Sequence, residues 1–207
     1  MKRSALASKF VCVAGLLFIA TAGHLNANLV VNGGFETGTF SGWTLVDPSG
    51  LSNVGNDPMF AHSGTYHANL GTNPFPVLPQ STGSLSQNIS TTAGTQYNLS
   101  FWLANDITAG LSPFNSFEVF WNGASIFSAT NLPPIPYTQF TFTFLAATGP
   151  STPLEFRYEH DNDFFRLDDV VVNVPDSIST FWAAFSVFGV LGLVHFRIRR
   201  SKALARV

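Results

Sequence analysis

The chain has 207 residues, of which 45% are apolar and 11% charged, and a formal net charge of −2; that leaves room for one folded domain with flanking segments, not for several cores. The charge is unevenly spread. All 12 acidic residues lie within 28–176, where Arg157 and Arg166 are the only basic ones, which excludes the clustered Lys and Arg of a nucleic-acid-binding surface.

Lys2, Arg3 and Lys9 precede the apolar run 10–22, followed by two small-residue exits, Ala20-Thr21-Ala22 and Leu25-Asn26-Ala27. This pattern predicts a secretory signal peptide over 1–27, with cleavage after Ala27 preferred and Ala22 left open. The single cysteine, Cys12, falls inside the run. Lys9-Phe10-Val11 before it lack the pattern of a lipoprotein attachment site, so Cys12 reads as a small apolar residue. The mature region then has no disulfide, and a sandwich of this size can rest on core burial.

From residue 28 to 173 helix formers are scarce and apolar residues alternate: Ala68 with Leu70, Leu99 with Phe101, Phe117 with Val119, Phe140 with Phe142 and Phe144, Phe156 with Tyr158, Val170 with Val172 and Val174. Period-2 alternation predicts half-buried strands, and the Gly, Pro and Asn-rich connections between them predict turns. Seven or more strands with no helical pattern imply an all-β fold of two packed antiparallel sheets.

Sugar binding needs an aromatic platform beside polar hydrogen-bonding groups. Trp102 lies out of phase with Leu99, Phe101 and Leu103 and should project from the opposite face, as should Glu118, Phe120 and Arg157 on their strands. The alternative for Trp102 is packing beneath a loop. Trp43 and Trp121 read as core. The run Glu159-His160-Asp161-Asn162-Asp163 invites a two-carboxylate hydrolytic reading, but a solvated loop explains it better, with a cation site as a further alternative. No G-x-S-x-G elbow, zinc spacing or nucleotide loop is present.

After the domain, 178–196 is a run of 19 residues without Asp, Glu, Lys or Arg, about 28 Å long as a helix and enough to cross a membrane. Arg197, Arg199, Arg200, Lys202 and Arg206 follow it, so the positive-inside rule keeps the tail cytoplasmic and the domain outside. The alternative is a buried core helix. His195 reads as an interfacial residue.

The motif Val174-Pro175-Asp176-Ser177, with Thr180, the apolar span and the basic end, resembles the PEP-CTERM class of sorting signals, closest to its VPDSG-CTERM variant. Ile178 stands where that variant has glycine. The resemblance implies a sorting signal over 174–207, processing by the membrane protease exosortase, and delivery to the cell surface or the extracellular matrix. Pro175 keeps its neighbour extended, as a protease substrate requires.

Four stretches, NLVVNGGFETGTFSGW (28–43), AHSGTYHANLG (61–71), SLSQNISTTAGTQYNLSFWLAND (84–106) and FFRLDDVVV (164–172), resemble the galactose-binding-like jelly roll of carbohydrate-binding modules. The resemblance implies a structural Ca²⁺ held by Glu36, Asp168 and the carbonyl of Gly34, with a further carbonyl from the His62-Ser63-Gly64 turn. The alternative is that Glu36 caps a turn and Asp168 ends a strand. Asp169 is the second choice for the ligand, since it points to the other face if the strand stays regular. The expected function is therefore a non-enzymatic exported surface protein associated with exopolysaccharide. The alternatives are a ligand-free structural subunit and a polysaccharide-active hydrolase or lyase.

Deleting 181–207 should convert the protein from a membrane-associated to a soluble exported form, as read by fractionation; unchanged membrane association would contradict the anchoring role of the tail.

Overall fold

The computed structural model describes residues 27–72, 82–106, 114–161 and 163–175. Nearly all of the expected signal peptide, the run 178–196, the basic end, and Asp176, Ser177 and Thr180 of the sorting motif lie outside these residues. Among the described residues no helix is long and apolar enough to cross a membrane.

Ten strands form: β1 (Thr44–Val46), β2 (Asn53–Asn56), β3 (Tyr66–Leu70), β4 (Gly83–Ser90), β5 (Gln96–Asn105), β6 (Asn115–Trp121), β7 (Ala124–Thr130), β8 (Ile135–Ala146), β9 (Ser151–His160) and β10 (Phe165–Asn173). They make two five-stranded sheets, β1-β4-β9-β6-β7 and β2-β3-β10-β5-β8, with antiparallel pairing throughout. The alternation read from the sequence is what packs them. Leu85, Leu99, Phe101, Leu103, Phe117, Val119, Leu154, Phe156, Tyr158 and Phe165 turn into the interface between sheets and are fully buried. Phe101 sits at its centre, 5.2 Å edge-to-face from Phe156 and 5.4 Å from the Phe140 ring. Trp43 and Trp121 join the core.

Two expectations about β8 and β10 need correction. Phe144 is 64% exposed with a φ of +60°. The register between β5 and β8 slips between Tyr97 and Leu99, so β8 carries an extra residue there, and half-buried Leu145 packs on the core instead. Val174 lies beyond the end of β10 and is 43% exposed. The short strands β1 and β2 and the polar β7 escaped the alternation argument because they are edge strands with little apolar pattern.

The last strand organises both ends of the domain. Leu29 donates its amide to the Val172 carbonyl at 2.8 Å, Val170 donates to the Gly33 carbonyl at 2.9 Å, and the Asn28 side chain bonds to both Val170 and Val172. In β10 the buried apolar residues are Phe165 and Leu167, then Val170 and Val172. The phase changes because the pairing with β5 skips a residue between Asp168 and Val171, and Asp169 takes a φ of +47°. This is a β-bulge.

Candidate functional site

The bulge decides where the carboxylates go. Asp168 pairs with Trp102, which places its side chain on the outer face of the second sheet, where it is fully buried beneath 57–65. Asp169 was expected on the opposite face of a regular strand; the extra residue turns it toward the same segment instead. Asp168 Oδ2 accepts the amides of His62 at 2.9 Å and Ser63 at 3.2 Å, and Asp169 accepts the Ser63 hydroxyl at 2.8 Å and meets His62 Nδ1 at 2.6 Å. Glu36 Oε1 accepts the amides of Thr65 at 3.0 Å and Tyr66 at 3.1 Å. Gly64 is required here: its φ is +65°, and a Cβ on it would run into Glu36 Oε1.

The 62–63 turn thus presents amides to Asp168, where the sequence reading had placed a carbonyl for a cation. As arranged, no three His, Cys, Asp or Glu side chains among the described residues converge to hold a metal ion. The donor chemistry nevertheless suits a hard cation. A Cβ on Gly34 would stand 3.3 Å from Asp169 Oδ1 and 3.7 Å from Asp168 Oδ1, so glycine leaves a space bordered by two carboxylates. Burial, reinforced by the Asp169 charge, pushes the Asp168 carboxyl up to about 6.

The residues expected to bind sugar do not form one surface. Trp102 lies on the outer face of the second sheet, but its indole is covered: the His62 ring stacks on it at 3.8 Å and 16°. Glu118, Phe120 and Arg157 lie together on the outer face of the first sheet. There Glu118 pairs across from Arg157, the guanidinium stands 4.2 Å over the Phe120 ring, and Glu155 holds it through two hydrogen bonds. This is a mutually satisfied, open sheet face.

The described residues of the acidic run, 159–161 and Asp163, do not form the expected solvated loop. Glu159 and His160 finish β9, and His160 and Asp161 are buried. His160 Nε2 shares a 2.7 Å hydrogen bond with Asn105 Oδ1, its ring packs edge-on against Phe165, and burial lowers its pKa.

The sequence reading missed a cleft of about 510 Å³ at one end of the second sheet, lined by Asn105, Asp106, Asp163, Arg166 and the wall Pro134-Ile135-Pro136. Asn105 builds it by donating its side-chain amide to the carbonyls of Leu132 at 2.8 Å and Pro133 at 3.1 Å, which fixes the approach to β8. Arg166 and Asp106 form an ion pair across the floor; burial raises the Asp106 carboxyl although Arg166 opposes the shift. Beside the cleft, the Arg166 guanidinium lies 4.0 Å over the Phe60 ring. The available signal was Arg166 itself, one of two basic residues in an acidic domain.

No family profile matches the chain in sequence, and no curated protein does either. Solved structures resemble it in fold. TmCBM61, solved in complex with β-1,4-galactotriose, superposes with a TM-score of 0.54 at 18% identity over 72% of this chain and 99% of its own. The enzymatically active domain of bacteriophage CBA120 tailspike protein 4 gives 0.52 at 16% identity over 71% of this chain, which spans 21% of that one. A family 16 carbohydrate-binding module gives 0.43 at 21% identity over 70% of this chain and 99% of its own.

Asp168 implies a pH dependence. A buried carboxyl with a raised pKa favours folding when protonated, and that stabilisation is lost as pH rises through about 6. His67 and His160, lowered by burial, act oppositely, since acid protonates them preferentially in the unfolded chain. The measurement is therefore a difference: in chelator, Asp168→Asn should gain stability over the wild type from pH 5 to 7 by urea unfolding, and a pH-independent difference would contradict the assignment. Chain and comparisons together show an all-β sandwich of two antiparallel sheets with the jelly-roll fold of carbohydrate-binding modules.

Proposed function

We propose that this chain is an exported, non-enzymatic polysaccharide-binding protein of the cell surface or extracellular matrix, and that the cleft beside Arg166 and Asp106 is its glycan site. The observation that carries the reading is the cleft's composition on this fold. An Asp–Arg pair offers forked donors and acceptors matched to neighbouring hydroxyls, and Pro134, Ile135 and Pro136 supply an apolar wall for the C–H face of a pyranose ring. TmCBM61, with β-1,4-galactotriose bound in its structure, supports the ligand class by analogy of fold. The acidic surroundings favour a neutral glycan over a polyuronate, since like charges oppose association.

Export by the signal peptide 1–27, anchoring by 178–196 and exosortase processing at the Val174-Pro175-Asp176-Ser177 motif belong to the same proposal. They are supported by the residues themselves, and the order of the three segments would leave the domain outside the membrane.

Calcium is a further part of it. Glu36, Asp168, Asp169 and the Gly34 backbone would hold the ion, which would neutralise the carboxylate pair and tie the first and last segments together. Binding to the native state alone stabilises it by about 2.7 kcal/mol at a hundredfold excess over Kd. Millimolar calcium should therefore raise the melting temperature of the wild type but not of Asp168→Asn; no shift in the wild type would remove calcium from the account.

Glycan binding is tested on an array that includes β-1,4-galactotriose. Arg166→Ala should weaken binding by about tenfold or more, the loss of a charge-assisted hydrogen bond, while Arg157→Ala on the other sheet should leave it unchanged. The reverse pattern would move the site to the Glu118, Phe120 and Arg157 face, and turnover of a glycan would contradict the non-enzymatic reading.

A further inference from the structure

The segment 57–65 connects β2 to β3 across the outer face of the second sheet and is held down at several points. The His62 imidazole lies flat on the Trp102 indole at 3.8 Å, and the Tyr137 ring closes on His62 edge-on at 5.4 Å. The Tyr137 hydroxyl donates to the Phe60 carbonyl at 3.0 Å, Arg166 covers the Phe60 ring, and Asp168 accepts the His62 and Ser63 amides. The tip is nevertheless apolar and exposed, with Met59 at 82% and Phe60 at 41%.

A ring lying parallel on an indole at this separation occupies the place a pyranose C–H face would take. The imidazole thus stands where a sugar ring would stack on Trp102. Trp102 and Arg166 both project from the outer face of the second sheet, and Arg166 also lines the cleft. With the segment displaced, cleft and indole would form one continuous groove.

We propose that the Trp102 face is a second sugar subsite, continuous with the cleft through Arg166, and that segment 57–65 is its gate, with His62 as a built-in competitor for the incoming ring. The inference rests on the cleft being the glycan site. The gate is held by the ring stack, the cation–π contact, the Tyr137 hydrogen bond and the bonds that Asp168 and Asp169 take from His62 and Ser63, so the open form is a minor population, and apparent affinity for a long glycan is reduced by the fraction of molecules with the gate closed.

The test uses the full-length chain and a panel of neutral β-1,4-linked galactose, xylose and glucose oligosaccharides from dimers to hexamers. His62→Ala should raise affinity for the longer members by about three- to tenfold, the size of a displaced aromatic stack, and leave the dimers unchanged. Tyr137→Phe, which loosens the gate and spares the carboxylates, should act in the same direction and less strongly, and His62→Ala/Trp102→Ala should lose the gain. If the wild type binds through Arg166 but neither variant strengthens binding, or if the gain survives removal of Trp102, the gate is wrong and the cleft reading stands. Binding indifferent to Arg166→Ala overturns the cleft reading, and absence of binding by every variant overturns both.

Discussion

One extra residue in β10 sets the arrangement of everything around it. Without the bulge between Asp168 and Val171, strict alternation would point Asp168 and Asp169 to opposite faces, and one of them would enter an apolar core with no partner. With it, Phe165 and Leu167 pack inward before the bulge and Val170 and Val172 after it, and both carboxylates stay outside the core. There they meet the amides and hydroxyl of His62 and Ser63. Glu36, from the N-terminal segment, takes the amides of Thr65 and Tyr66 further along the same stretch. Three carboxylates thus organise one irregular segment, and that segment covers Trp102.

The function proposed for the chain follows from what this leaves accessible. The covered indole shifts attention to the end of the sheet, where Asn105 fixes the approach to β8 and the Asp106–Arg166 pair forms the floor of the cleft. Because the domain is acidic, the pair would offer sugar-hydroxyl recognition without a net attraction for anions. Export and anchoring would bring such a module to extracellular polysaccharide.

Much of the fold was legible in the sequence, because the inward residues of β4, β5, β6 and β9 follow a clean period of two. Trp121, on β6, was legible as core for the same reason. The failures have local causes. Bulges shifted Phe144 outward and brought Asp169 to the face of Asp168, and period-2 reasoning cannot see an inserted residue until the partner strand is known. Trp102 was correctly placed outside the core, but its cover comes from a segment 40 residues away in sequence. Glu118, Phe120 and Arg157 were also placed outward, and alternation gives no means of telling which sheet's outer face a residue occupies. The cleft joins the ends of three strands that are far apart in the chain, so no local pattern marks it.

The central claim is that the Asp168, Asp169 and Glu36 carboxylates hold residues 62–66 on the last strand. Amide hydrogen exchange tests it directly, since three of the four amides concerned precede β3 in a non-strand segment where rapid exchange is the default. The account expects the amides of His62, Ser63, Thr65 and Tyr66 to exchange well below unprotected loop rates, though faster than those of β10, and those of His62 and Ser63 to lose protection in Asp168→Asn. Exchange of these four amides at unprotected loop rates in the wild type would contradict it.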